Sequence, residues 1–153
     1  MNPKFRSPAI VGITLGIIAA LNGCENGDEK LTHTPDLLIC GHSQPNTSTK
    51  TCIVDGDTLW LDGINLRLKD FDTPESRNKI CGSFKEIDLA NAATKRLQQL
   101  LNSNSWTIET FGIDGTGKRR LATISIDGQD VGDILISEKL ARRWPDGHEF
   151  WCD

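Results

Sequence analysis

Six carboxylates, Asp55, Asp57, Asp62, Asp70, Asp72 and Glu75, fall within the 21 residues 55–75, interrupted by only two cations, Arg67 and Lys69. Crowded carboxylates raise one another's pKa unless a cation or hydrogen bonds compensate, and a hard metal is the usual compensation. Asp57 stands at the start of one strand-like segment, and Asp72-Thr73-Pro74-Glu75 at the end of the next. A hairpin between them brings both acidic groups together. Oxygens from Asp57, Asp72 and the Thr73 carbonyl would suit calcium or another hard divalent ion. Asp-Gly-Asp and Asp-Thr-Pro are also ordinary turn formers, so composition alone gives a purely structural role equal weight. Further cations gather downstream in the Gly-rich turn Asp114-Gly115-Thr116-Gly117-Lys118-Arg119-Arg120.

Asp55-Gly56-Asp57-Thr58, then Arg67-Leu68-Lys69-Asp70-Phe71-Asp72-Thr73-Pro74-Glu75, then Arg119-Arg120-Leu121-Ala122 resemble, in that order, the signature of the staphylococcal nuclease (thermonuclease) family, over roughly residues 50–143. The resemblance implies an OB-fold endonuclease, a hydrolase that cuts DNA and RNA with Ca2+ at the 5′ P–O bond and leaves 3′-phosphate ends. Carried over by motif position, Asp57 and Asp72 are calcium ligands and Thr73 adds its backbone carbonyl. Arg67 is the phosphate-binding arginine, Glu75 the general base acting through water, and Arg119 the second catalytic arginine. The chemistry agrees independently. Hydrolysing a phosphodiester requires an in-line water and neutralisation of a dianionic transition state, and the planar fork of Arg holds two phosphate oxygens at once.

This sequence departs from the family in three places. The third motif usually reads Asp-x-Tyr-Gly-Arg, whereas the segment from Asp114 to Arg119 is one residue longer and lacks the Tyr. The distance to Leu121-Ala122 selects Arg119, but a shift of one residue would give the role to Lys118 or Arg120. Stacking a base on one ring is worth roughly 1–3 kcal/mol, and without the Tyr that contact would pass to Trp144, Phe111 or Trp60, each of which also reads as a packing residue. The family's final long helix has no counterpart before Asp153, and a bridge through Cys152 is expected to tether the end.

The elements that must position these groups follow from hydrophobic period. Thr58-Leu59-Trp60-Leu61 alternates and breaks at Asp62-Gly63, a hairpin signal, and Ile64 to Lys69 alternates again. From Ile87 to Leu101 an apolar stripe recurs at helical spacing. Strands are expected at Trp106–Phe111 and Leu121–Ile126, and a second helix from Val131 to about Leu140. Arg142 and Arg143, which follow it, would extend a phosphate track or favour the helix carboxyl end. The order predicts an α+β fold, a five-stranded OB-type β-barrel with one helix between strands 3 and 4 and a second after strand 5.

Lys4 and Arg6 followed by an uncharged run from Ser7 to Cys24 have the layout of a secretory signal peptide. Leu21-Asn22-Gly23-Cys24 resembles a lipobox, in which Cys24 becomes the lipidated first residue of a lipoprotein. The expected organisation is a signal over 1–23, a polar tether over 24–36 and one domain over 37–153. The whole chain of 153 residues carries a formal charge of -4. Without residues 1–23 it holds 15 basic and 21 acidic side chains, or -6. No global basic field announces a nucleic-acid partner. If Cys24 is acylated, Cys40, Cys52, Cys81 and Cys152 remain, an even set in an oxidising compartment. Of three possible pairings, Cys40 with Cys52 and Cys81 with Cys152 are expected. The absence of any C-x-x-C pair ranks a zinc site below disulfides.

The expectation is therefore an exported nuclease of the cell envelope or periplasm, monomeric, acting on DNA and RNA and held to a membrane through Cys24. A non-catalytic nucleic-acid- or protein-binding lipoprotein is the rival, and it leaves the intact set Asp57, Arg67, Asp72, Glu75 and Arg119 unexplained.

Overall fold

The computed structural model describes residues 36–77 and 80–153. The expected signal peptide, Cys24 and the tether up to residue 35 lie outside the described residues. Strands β1 (Cys52–Ile53), β2 (Thr58–Leu61) and β3 (Ile64–Leu68) form an antiparallel meander. The β2–β3 turn is Asp62-Gly63, both at positive φ (46° and 77°), the backbone that a two-residue hairpin requires. After a short β4 (Phe71–Asp72), helix α1 (Phe84–Ser103) crosses to β5 (Thr107–Ile113) and β6 (Arg120–Ile126). A short β7 (Gln129–Asp130) pairs with β6 and leads into α2 (Val131–Ser137). The sheet order is β1-β2-β3-β6-β5, with β3 and β6 parallel, and β4 pairs separately with β8 (Arg142–Arg143). This mixed sheet with two helices is an α+β architecture compatible with the expected OB-type fold.

Alternation decides which side chains fill the core. Leu66 and Leu68 of β3, and Ala122, Ile124 and Ile126 of β6, point inward against Leu97, Leu100 and Leu101 of α1. Ser83 caps α1 by accepting from the Glu86 N–H. The buried stripe of α1 runs through Glu86, Ala90, Ala93 and Thr94, while Ile87 and Leu89 are only half-buried. A buried glutamate in that stripe breaks the apolar period, and its carboxylate is used locally, accepting from the Cys81 N–H at 3.0 Å. Helix α2 stops at Ser137, short of the expected Leu140. Lys139 takes φ 59°, and Leu140 N–H donates to Leu135 O while Lys139 N–H donates to Ile136 O. That pattern is a Schellman ending with Lys where glycine is usual.

Two disulfides form, Cys40–Cys52 and Cys81–Cys152, the expected pairing. The first closes the loop around the buried Lys50, which donates to Asn46 Oδ1 at 2.9 Å and lies over the Trp60 ring. The second ties the closing 3₁₀ turn, Phe150–Cys152, to the segment before α1. Lys85 of α1 reinforces it by donating to Phe150 O at 2.9 Å.

Candidate active site

Asp57 opens β2 and is 1% exposed. Gly56 before it passes between α1 and the β4 exit, where a Cβ would sit 2.8 Å from both Ala93 Cβ and Thr73 Cγ2. Only glycine lets the chain through there. The Asp57 carboxylate is turned inward and fully engaged. Oδ1 accepts from Thr58 Oγ1 and from Arg67 Nη1, and Oδ2 accepts from Thr73 N and Thr73 Oγ1 at 3.1 and 3.2 Å. Burial, and then the charge of Asp55, hold this carboxyl above the usual carboxylate range, while Arg67 and the Thr58 hydroxyl pull the other way.

Arg67 lies between the two carboxylates. Its other terminal nitrogen, Nη2, donates to Asp72 Oδ1 at 2.7 Å. The second oxygen of Asp72 belongs to a different arginine, since Arg142 donates to Oδ2 from Nε at 3.2 Å and from Nη2 at 3.0 Å. Arg142 comes from the far end of the chain, brought in by the β4–β8 pairing of Asp72 with Arg142.

Above this pair opens a cleft of about 760 Å³ whose lining includes Arg67, Asp72, Glu75, Phe111, Arg119 and Trp144. Arg119 reaches it from the β5–β6 turn. Asp114 organises that turn, its Oδ1 accepting from Thr116 Oγ1 at 2.7 Å and from the N–H groups of Thr116, Lys118 and Arg119, and its Oδ2 accepting from Arg119 Nε at 2.7 Å. At the tip of the turn Gly117 takes φ 74°. Lys118 and Arg120 are exposed and line no part of the cleft.

A sequence profile described as staphylococcal nuclease homologue matches residues 65–149, more than half of the chain. The chain belongs to the staphylococcal nuclease homologue family. The segment matched to the family contains Arg67, Asp72, Thr73, Glu75 and Arg119. Asp57 lies ahead of it, joined to the rest through Thr73 and Arg67.

The family's sequence signature marked Asp57, Arg67, Asp72, Thr73, Glu75 and Arg119, and the structure brings all six to one place. Of the three candidate base platforms, Phe111 and Trp144 border the cleft, with Trp144 55% exposed. Trp60 does not line it, being engaged with Lys50. Arg142, expected to extend a phosphate track or favour the helix carboxyl end, has its guanidinium on Asp72. That pairing has no local signal because the partner is 70 residues away in sequence. The one available signal was that Asp72, with Asp57 sharing Arg67, needs a second cation.

The donor chemistry of this site fits a hard divalent ion. Among the described residues no group of three or more His, Cys, Asp or Glu forms a self-contained metal cage. The site is a two-carboxylate one, the kind that completes a cation's shell with carbonyl, water and substrate phosphate.

Proposed function

We propose that this protein is an exported, calcium-dependent nuclease that hydrolyses DNA and RNA phosphodiesters to 3′-phosphate ends. The observation that carries this proposal is the convergence of Arg67, Glu75 and Arg119 on one cleft over the Asp57–Asp72 pair. Two guanidinium groups at one cleft suit a dianionic phosphoryl transition state, because their forks each hold two oxygens. Glu75 serves as general base, taking a proton from the attacking water as its oxygen bonds to phosphorus, while the P–O5′ bond breaks and O5′ leaves with the electron pair and takes a proton from solvent to become the 5′-hydroxyl. Asp57, Asp72 and the Thr73 carbonyl would hold calcium, which when bound supplies Lewis-acid charge to the phosphoryl oxygens. Phe111 and Trp144 offer apolar ring faces at the cleft rim for a base.

Export is supported by the basic-then-apolar amino end and by the two disulfides, which persist in oxidising compartments. Lipidation at Cys24 would hold the monomeric domain at the cell envelope through the polar tether. The deciding test is cleavage of single-stranded DNA and RNA by the purified mature protein with calcium and with chelator. Products with 3′-phosphate ends are expected only with calcium, and no cleavage in either condition would overturn the proposal in favour of a binding module. Glu75→Gln should lower the rate by 10²-fold or more, within the usual range of about 10²–10⁴ for a general base. An unchanged rate would remove Glu75 from the chemistry. Labelling of Cys24 by a palmitate analogue in the expressing cell tests the anchor, and an unlabelled soluble product would end that part of the proposal.

A further inference from the structure

Arg142 is more completely engaged than any other cation at the site. It makes four hydrogen bonds and one further ion pair. Nε and Nη2 donate to Asp72 Oδ2, Nη1 donates to Pro145 O at 3.1 Å and Gly147 O at 2.8 Å, and Nη2 also lies 3.0 Å from Glu149 Oε1. The guanidinium also packs 5.2 Å from the Trp144 ring centre and 5.8 Å from that of Trp151. The side chain is 9% exposed. A guanidinium held by all three of its nitrogens and against two rings has little freedom left to follow a substrate.

We propose that Arg142 is a positioning residue for Asp72, fixing Oδ2 so that Oδ1 alone is presented to a divalent cation. The inference rests on the nuclease reading, in which Asp72 is a cation ligand. Within the structure the two oxygens of Asp72 are unequal. Oδ2 is tied to Arg142, whose other partners, two backbone carbonyls and Glu149, all lie in the tail, while Oδ1 is met by Arg67, which is less buried and lines the cleft. A carboxylate anchored through one oxygen keeps its orientation when the other changes partner. Groups that orient a metal-binding carboxylate from behind are typically worth 10–100-fold in cation affinity.

The tail that holds Arg142 is itself held. Cys152 is bonded to Cys81, and Trp151 is fully buried. Asp72 is thereby oriented by a strap of residues 142–152 whose far end is covalently fixed to the segment ahead of α1.

Titration of the whole mature protein with calcium, followed by calorimetry without nucleic acid, tests the inference. Arg142→Gln should weaken calcium binding 10–100-fold, and Arg142→Lys, which keeps the charge and loses the fork, should remain at least tenfold weaker than wild type. Leu101→Ala, a core truncation near the carboxyl end of α1, should lower thermal stability and leave calcium affinity unchanged. A folded Arg142→Gln protein with wild-type affinity overturns the inference, whereas a wild-type protein that neither binds calcium nor cleaves DNA overturns the nuclease reading beneath it. If both Arg142 variants fail to fold, nitrogen-15 spectra of the wild type decide. The Arg142 Nε–H resonance should be protected from solvent exchange and persist when calcium shifts the Asp72 carboxyl carbon. Exchange at the rate of a free arginine would overturn the inference.

Discussion

Arg119 and Asp114 are joined by a 2.7 Å bond from Nε to Oδ2, and the same carboxylate collects the N–H groups of the intervening turn. The turn and the arginine are thus a single unit. Asp114→Ala should leave the sheet folded and cut turnover about as steeply as Arg119→Ala, since a 1 Å misplacement of a positioned group can cost 10²-fold. Steady-state cleavage rates of the two variants check this, and a wild-type rate for Asp114→Ala would mean that Arg119 needs no anchor.

Asp114 also has a pH signature. The Thr116 hydroxyl, then Arg119 and the turn N–H groups, hold its carboxyl well below the usual carboxylate range. A carboxyl depressed in the folded state contributes stability that is complete above its unfolded value, about 3.9, and is lost as pH falls towards the folded one. The melting-temperature gap between wild type and Asp114→Asn should be constant from pH 8 to 5 and narrow below about pH 4.

The opposite sign is expected at Asp130, which caps α2 by accepting from the Gly132 N–H at 2.6 Å. Burial, and then the charges of Asp133 and Asp70, raise this carboxyl against the pull of Gly132 N–H and Arg143. The folded protein holds the proton longer than the unfolded chain, so stability falls as pH climbs from about 4 through the raised value. Asn is as good an N-cap as Asp. Asp130→Asn should match wild type near pH 3 and exceed it at pH 7, and a lower melting temperature at pH 7 would refute the assignment.

Arg67 holds Asp57 and Asp72 together when no other cation does. Arg67→Gln leaves a buried carboxylate uncompensated, and about 3 kcal/mol of stability should be lost in chelator. Calcium should restore part of it. Urea unfolding with and without calcium measures both, and a loss under about 0.5 kcal/mol would place the variant among ordinary surface changes.

The two disulfides should differ in weight. Their sequence separations are 12 and 71 residues, and in the chain-entropy picture the longer loop is worth about 1.5 kcal/mol more. The double serine variant at Cys81 and Cys152 should therefore have the lower urea midpoint of the two, and the reverse order would indicate that local packing outweighs loop closure.

Much of the fold can be read from local chemistry. Asp62-Gly63 carries its own backbone preference, and the strict alternation in Ile64–Leu68 and Arg120–Ile126 assigns a buried face without tertiary information. Arg67, Asp72, Glu75 and Arg119 at the cleft, and Asp57 and Thr73 buried behind it, were identifiable because each lies in a short contiguous motif. Features that run against a residue's type, or that depend on a remote partner, were not. Glu86 is buried with its carboxylate on Cys81 N–H, Lys139 ends a helix from a conformation that its type disfavours, and Arg142 has no local motif because its role is set by a strand pairing. The missing Tyr could be noticed in sequence, yet which rings border the cleft depended on where the tail returns.

The short parallel ladder between β3 and β6, with Leu66 opposite Arg120, Arg67 opposite Leu121 and Leu68 opposite Ala122, acts as a ruler. It sets how far the Arg67 guanidinium stands from the base of the Arg119 turn, in whole residue steps, whatever the connecting chain does. A slip of one step would turn Arg67 into the core and lift Leu66 or Leu68 into solvent. Between Asp114 and Arg119, whose pairing must be kept, the tip of the turn can therefore change composition without altering the spacing of the two charges. Exchanging residues 115–118 is a route to new substrate preference on an unchanged charge frame.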